Sequence, residues 1–142
     1  MNIRTATRLP SLLFSVPTRS FSTSRCRFEH FHGADETTFS RVTSATKTNE
    51  RVVLVDFYAD WCGPCKALSP VLEKLAGDVE TKTGSGRPID LVTVDTDVHG
   101  SLAQKYQVRA LPTVVAFRDG EPVKQFVGAL PEGGVRKFLE EV

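Results

Sequence analysis

A pair of cysteines three positions apart constrains this chain more than any other feature of its sequence. The segment Trp61-Cys62-Gly63-Pro64-Cys65 follows an apolar run, Val52–Ala59, and precedes a helical pattern that begins at Lys66. Two thiols at positions i and i+3 of a strand-to-helix junction can both lie at the helix N-terminus, close enough to form and break a disulfide with little backbone movement. We therefore interpret the rest of the chain as a scaffold that holds this dithiol at a surface and keeps its thiols unequal.

Cysteine usage indicates a catalytic dithiol rather than a disulfide framework. The chain contains three cysteines, and two of them form this pair. A disulfide-stabilised secreted domain needs more of them, so the pattern fits a reducing compartment in which a disulfide is transient. A zinc site needs about four ligands, and His99 with the dithiol makes at most an incomplete set. We expect no metal, and we expect His30, His32 and His99 to lie at the surface.

Charge is distributed unevenly along the 142 residues. Residues 1–28 carry five arginines and no acid, whereas the remaining 13 basic and 17 acidic residues leave a net charge of −4. A mildly acidic body gives little electrostatic support for nucleic-acid binding. No apolar run approaches the length of a membrane span, so we expect no membrane partner.

The first 28 residues have the composition of an amphipathic organellar transit peptide, rich in Arg, Ser and Thr with scattered apolar residues. Arg19-Ser20-Phe21-Ser22 resembles a mitochondrial processing site, and Arg19 with Phe21 and Ser24 also resembles a two-step pattern with its final cut after Phe28. The alternative is a disordered basic tail. We therefore divide the chain into this leader segment, residues 1–28, and a folded domain, residues 29–142. Cys26 lies in the leader segment, and we expect it to have no functional role.

From residue 29 the hydrophobic pattern alternates between strands and helices, which is typical of an α/β domain. The predicted strands are a short edge strand near Phe31, the buried run 51–59, Ile89–Val94, and a hairpin of Val114–Phe117 and Val123–Val127 around the turn Asp119-Gly120. Pro122 is expected to begin the second hairpin strand. A strand, a helix and a strand in succession predict parallel pairing.

Four helices are predicted between and after these strands. They are one capped by Asp35 with Phe39 and Val42 on one face; one after the dithiol with Leu68, Val71, Leu72, Leu75 and Val79 on one face and Pro70 inside; a short one capped by Asp97; and a final one carrying Val135, Phe138, Leu139 and Val142. Together the elements predict a mixed central sheet of four to five strands flanked by helices on both faces.

Five motifs occur in a characteristic order over about residues 30–142: Val55–Lys66, Pro70, Val94–Asp97, Leu111-Pro112-Thr113 and Val127-Gly128-Ala129. In order and spacing the chain resembles the thioredoxin family, and with its first 28 residues it resembles the mitochondrial members. Two residues depart from the family pattern. Thr93 stands where many members carry a Lys beside the buried acid, and Tyr58 stands where a Trp is common.

The resemblance implies a thioredoxin fold and a protein-disulfide reductase that cycles between a Cys62/Cys65 dithiol and disulfide. Cys62 is implied to attack the client, and Cys65 to resolve the mixed disulfide. It also implies re-reduction by a thioredoxin reductase that draws on NADPH, since this chain has no nucleotide-binding glycine fingerprint and is expected to bind no cofactor. Peroxiredoxins and methionine sulfoxide reductases are the expected clients, the chain is expected to be a monomer, and the expected location is the mitochondrial matrix.

Asp56 is the one charged residue inside the apolar strand run. A buried carboxylate is expensive unless it is neutralised or hydrated, and burial raises the pKa of such a group. We interpret Asp56 as a buried acid that exchanges a proton with Cys65. The alternative is a capped acid or one at a strand edge.

The remaining site residues are assigned to the active-site loop and to a client-binding surface. Gly63 is expected to allow a tight turn and Pro64 to stiffen the loop. The resemblance implies a cis peptide bond at Leu111–Pro112, which exposes the backbone of Leu111 to an extended client segment. The apolar platform around Cys62 is expected to consist of Trp61, Pro64, Ala110 and Gly128, although simple packing is the alternative for each.

Two rival functions remain open at this stage. An oxidase or isomerase of the same fold is disfavoured by Pro64 and by the lack of a secretory signal. A non-catalytic thioredoxin-fold subunit that docks a partner through the dithiol face is the alternative from another class.

Overall fold

The computed structural model describes residues 29–142. The interpretations of residues 1–28 as a leader and of Cys26 as non-functional therefore lie outside the described residues. Within them, strands β1–β5 span His30–Phe31, Val52–Tyr58, Ile89–Asp95, Thr113–Arg118 and Glu121–Val127. Helices α1–α5 span Glu36–Thr43, Ala45–Thr48, Gly63–Gly77, Gly100–Lys105 and Glu132–Glu140. No helix in residues 29–142 is both long and apolar enough to cross a bilayer.

The five strands form one mixed sheet in the order β1-β3-β2-β4-β5. β3 runs parallel to β2, as the strand-helix-strand pattern predicts, and it also runs parallel to β1. β4 is antiparallel to β2, and β5 is antiparallel to β4. The turn between β4 and β5 places both Asp119 and Gly120 at positive φ, the conformation that an Asp-Gly hairpin turn favours.

Helices cover both faces of the sheet, as predicted. Alternate residues of β2 face opposite sides. Val52 and Leu54 pack against α3 and α5, whereas Val53, Val55 and Phe57 pack against residues of α1 and α4. Because β2 is central and covered on both sides, its continuous apolar run is explained by burial.

The helix that follows the dithiol, α3, begins earlier and ends earlier than its sequence pattern predicts. It begins at Gly63 rather than at Lys66, because Cys62 is the N-cap and its sulfur accepts the N–H of Cys65 at 3.2 Å. It ends at Gly77, so Val79 lies beyond it and is 61% exposed rather than on the buried face. Pro70 lies inside the helix, as predicted.

Three further details differ from the sequence predictions. Helix α4 starts after His99, so Asp97 is not its cap. Strand β5 starts at Glu121, one residue before Pro122. The one-turn helix α2 was not predicted, and its last residue, Thr48, accepts from Gly120 N through Oγ1 at 2.6 Å and thereby holds the hairpin turn.

Candidate active site

The two cysteines lie where the end of β2 passes into the start of α3. Cys62 and Cys65 are joined in a disulfide with their Cα atoms 5.3 Å apart. Cys62 is the N-cap and Cys65 lies in the first turn, so both sulfur atoms face the end of α3 where unpaired backbone N–H groups concentrate. In this oxidised form Cys62 is 4% exposed and Cys65 is 2% exposed. The difference between the two cysteines therefore lies in their positions on the helix more than in their exposure.

Leu111 brings the loop before β4 against the dithiol. A small cluster contains Ala59, Cys62 and Cys65, with Tyr58 and Leu111 packed on it. The Leu111–Pro112 bond is cis, as the resemblance implies. The carbonyl of Pro112 accepts the N–H of Gly128 at 2.8 Å. Three segments far apart in sequence therefore meet beside the sulfur atoms.

Asp56 lies on the face of β2 that α3 covers. It follows Val52 and Leu54 in the alternation, and both of these belong to the core cluster that contains the buried residues of α3. Because β2 leads directly into α3, this position on the strand faces the first turns of the helix, where Cys65 is buried. Asp56 is 1% exposed, and neither carboxylate oxygen has a hydrogen-bond partner among the described residues. Burial raises the pKa of Asp56 to about 7.

A cleft on the α3 side opens onto Cys65; we call it the Cys65 cleft. Its volume is about 290 Å³. The lining residues that matter here are Tyr58, Asp60, Cys65, Lys66, Ser69 and Glu73. Tyr58 is two residues after Asp56 on the same face of β2, so the cleft reaches the neighbourhood of the buried acid. Burial, followed by the charges of Asp95, Asp60 and Asp56, raises the pKa of Tyr58.

Trp61 is held in place by a residue that the sequence analysis assigned to another role. Its side chain is 72% exposed, and its indole N–H donates to Oδ2 of Asp97 at 2.9 Å. Asp97 is therefore a support of the active-site loop and not a helix cap. The sequence carried no signal for this pairing, because the two residues are 36 positions apart and the exposure of Trp61 is a property of the tertiary structure.

The structure gives different reasons for Gly63 and Pro64 than the sequence suggested. Gly63 does not adopt a positive φ, and a Cβ added there would meet no atom within 4 Å, so the turn itself does not require glycine. Pro64 lies in the first turn of α3, where the backbone N–H that proline lacks would have no intrahelical partner. Both residues are exposed beside Cys62.

The other predicted client-binding residues lie in the loop before β4 and directly after β5. Ala110 is exposed, Leu111 is half-buried against the cysteines, and Gly128 is half-buried with φ of 93° beside Pro112. Residues 29–142 contain no cluster of His, Cys, Asp or Glu that could hold a metal ion. His32 is exposed, and His30 and His99 are half-buried.

Comparisons with known proteins agree with this arrangement. The sequence profile of the family described as Thioredoxin matches residues 31–141. A thioredoxin of Staphylococcus epidermidis is 44% identical over 96 residues, which cover 68% of this chain and 86% of that protein. A thioredoxin of Staphylococcus aureus is 42% identical over 104 residues, covering 71% and 94%. The solved structure of a mutant thioredoxin from Halobacterium salinarum matches with a TM-score of 0.66 at 37% identity, covering 80% of this chain and 89% of that one.

Proposed function

The chain belongs to the thioredoxin family and is a protein-disulfide reductase, and we propose how its residues divide this reaction. The Cys62 thiolate attacks one sulfur of a client disulfide, forms a mixed disulfide and releases the other client sulfur as a thiolate. Cys65 then loses its proton and attacks Cys62 Sγ. This step closes the Cys62–Cys65 disulfide, and the second client sulfur leaves as a thiolate. The client gains two electrons and the dithiol loses two.

The observation that carries this division of labour is the position of both cysteines at the start of α3. The positive end of the helix and its unpaired N–H groups favour the thiolate of the N-cap residue, Cys62. In the oxidised form, Cys62 Sγ accepts the N–H of Cys65 at 3.2 Å. Cys65 lies one turn further in and is shielded by Leu111 and Ala59, which suits a thiol that attacks only an internal partner.

Asp56 is the proposed proton carrier for the second step. A pKa of about 7 makes both of its protonation states accessible near neutral pH. The Cys65 cleft gives solvent a route to the same region. The carboxylate accepts the proton of Cys65 before attack and can return it when the disulfide is reduced again.

The client is proposed to lie across the surface formed by Trp61, Pro64, Ala110, Leu111 and Gly128, beside Pro112, which is itself buried. The hydrogen bond of Trp61 to Asp97 fixes the large indole while most of its area stays exposed. An extended segment can pair with the backbone of Leu111, which the packing of its side chain places beside the dithiol.

Members of this family draw on a thioredoxin reductase and act on disulfide-bearing clients, and the reaction needs no bound cofactor. We further propose peroxiredoxins and methionine sulfoxide reductases as clients, a monomeric state, and NADPH as the distant electron source. The chain contains no glycine fingerprint of its own for that nucleotide.

Location in the mitochondrial matrix is proposed from the acid-free, Arg-rich segment 1–28, which precedes the matched residues 31–141. Cleavage is expected to leave a mature chain that starts near Ser22 or Glu29. Mass spectrometry of the protein purified from its native organelle measures this terminus. A chain that still starts at Met1 or Asn2 there would contradict the proposal.

The division of labour is tested by trapping. Cys65→Ser should accumulate mixed disulfides with clients, while Cys62→Ser should form none, and both variants should lose catalytic reduction of insulin. Reduction of insulin by the parent chain with dithiothreitol separates a catalyst from a binding subunit. Equal alkylation rates for the two thiols of the reduced protein near neutral pH would refute the assignment of Cys62 as the nucleophile.

A further inference from the structure

A second cleft is lined by residues that follow α4, by the first residue of β4 and by β5; we call it the Arg109 cleft. It has a volume of about 420 Å³. Its lining includes Gln107, Arg109, Ala110, Thr113, Gln125 and Val127. Ala110 belongs to the proposed client surface, and Val127 precedes Gly128 of that surface. The cleft is therefore continuous with the path of a client across the loop.

Arg109 has no protein partner in the part of the chain that the structure describes. The five other arginines of residues 29–142 each have one. Arg51, Arg87 and Arg136 form ion pairs, Arg118 donates to the carbonyl of Val142, and Arg41 lies over the ring of Phe31. Neither a hydrogen bond, an ion pair nor a ring contact involves Arg109 among the described residues. Its five N–H donors are therefore available to a ligand.

The charges around the Arg109 cleft favour an anion. Arg109 is the one charged residue in its lining, and the side chains of Gln107 and Gln125 add neutral amide donors. Lys105 adds a second cation nearby, with Nζ 5.6 Å from the ring centre of Tyr106, which also lines the cleft. Glu121 is the acid near this cleft: burial, followed by the charge of Glu121, raises the pKa of Tyr106. Among the described residues, Glu121 forms no ion pair with Arg109 or Lys105.

The Cys65 cleft and the Arg109 cleft have opposite electrostatic character. Asp60 and Glu73 outnumber Lys66 in the lining of the Cys65 cleft, whereas Arg109 is the one charged residue in the lining of the Arg109 cleft. A negative side chain of a client is therefore repelled by the Cys65 cleft and attracted by the Arg109 cleft. Such a difference selects among clients and fixes their orientation.

We propose that the Arg109 cleft is a specificity subsite that binds an Asp or Glu side chain of the client close to its reactive cysteine. The proposal rests on the reductase function and on the client path across Leu111. Arg109 precedes Leu111 by two residues, and two residues of extended chain span at most about 7 Å. The long side chain of Arg109 adds to this reach, so the acidic residue is expected within about four positions of the client cysteine. A planar guanidinium suits a carboxylate because it can donate two parallel hydrogen bonds.

The test is a set of disulfide-bonded fluorogenic peptides that differ at one position. Asp is placed in turn at each of the four positions on either side of the cysteine, and a matched peptide carries Asn there. For at least one position, the parent protein should reduce the Asp peptide with a kcat/KM about threefold to fivefold higher than the Asn peptide, as expected for an exposed pair. The difference should lie in KM and should shrink in high salt.

Three variants decide whether Arg109 is responsible. Arg109→Gln should bring the Asp/Asn ratio to about one, and Arg109→Glu should reverse the preference in favour of a Lys peptide. Arg41→Gln, which removes an exposed arginine of α1, should keep the parent ratio. If the parent reduces Asp and Asn peptides equally at every position, or if Arg109→Gln keeps the parent ratio, the subsite is refuted while the reductase function stands. If no peptide is reduced, the reductase function itself fails.

Discussion

Two aspartates on neighbouring strands show what this fold does with a buried charge. Asp90 lies near the start of β3, and its carboxylate accepts two hydrogen bonds from Arg51, at 2.7 Å and 2.6 Å, while 13% of its side chain remains exposed. Asp56 lies near the end of β2, is 1% exposed and has no partner among the described residues. The paired acid is at the end of the sheet away from the dithiol, and the unpaired acid is at the end beside it.

The difference supports the proposal that Asp56 carries a proton for the reaction. A partner such as Arg51 would hold the carboxylate ionised, which stabilises the fold but removes its capacity to exchange a proton near neutral pH. Asp56 instead has a pKa of about 7 because of burial. The cost falls on stability, and it is tolerated at the one end of β2 where the proposed reaction needs a proton acceptor.

The largest expected effect is on the pH dependence of stability. A raised pKa in the folded state means that the native protein holds the Asp56 proton more tightly than the unfolded chain. The stabilisation is complete below the ordinary value of 3.8 and is lost as pH rises through about 7. Asp56→Asn removes this loss, so its advantage in unfolding free energy over the parent should grow by up to about 4 kcal/mol between pH 4 and pH 8.

Urea unfolding of both proteins across this pH range measures the difference, and Asp90→Asn serves as the matched control. The change in this difference between pH 4 and pH 8 is independent of the cost of burying the Asn amide, because that cost is the same at every pH. Parallel pH profiles for Asp56→Asn and the parent would show that Asp56 is not a buried acid with a raised pKa.

The second effect concerns the resolving step. Without its proton acceptor, Cys65 should attack the mixed disulfide about 10-fold to 100-fold more slowly in Asp56→Asn. In the parent, the rate of this step should rise with pH around 7, where Asp56 ionises, and the variant should lack this rise. Single-turnover release of a fluorescent client thiol measures the step. A similar slowing in Asp90→Asn would mean that general destabilisation, and not proton transfer, explains the result.

A cationic side chain placed beside Asp56 should give it an ion-pair partner, as Arg51 is for Asp90. Thr93 is paired with Asp56 in the register of β2 and β3, so a longer cationic side chain at this position is on the same face of the sheet. Thr93→Lys should lower the pKa of Asp56 by about one unit, which reduces the pH-dependent loss of stability by about 1.4 kcal/mol.

Thr93→Gln is the control for length, because both substitutions remove the hydroxyl that accepts the N–H of Gly33 at 3.0 Å. The readout is again urea unfolding across pH. An identical pH dependence in the Lys and Gln variants would show that no cation reaches Asp56 from this position.

The smallest effect is expected from Asp90. Asp90→Asn leaves Arg51 with a neutral amide in place of a carboxylate, and the unfolding free energy at pH 7 should fall by about 1 kcal/mol. Insulin reduction, measured alongside thermal unfolding, should match that of the parent. Loss of activity at full stability would place Asp90 in the reaction and remove the contrast between the two acids.

The sequence identified most of the elements and the central chemistry because these depend on local patterns. The apolar run of β2 predicted its burial, the Asp-Gly pair predicted the hairpin turn, and the charged residue in an apolar strand predicted the raised pKa of Asp56. The sequence pattern placed the start of α3 three residues too late, at Lys66 instead of Gly63. The reason is that the N-cap is Cys62, and cysteine is not among the residues that usually cap helices.

By itself, then, the sequence determined the order of the elements, the dithiol at a helix N-terminus and an acid buried near it. The tertiary structure alone decided which side chains are paired. Trp61 finds Asp97 across 36 positions and Arg51 finds Asp90 across 39, while Asp56 and Arg109 find no partner among the described residues. Hydrophobic periodicity records how deeply a residue is buried, but a hydrogen bond between strands or loops depends on register and on the path of the chain in space.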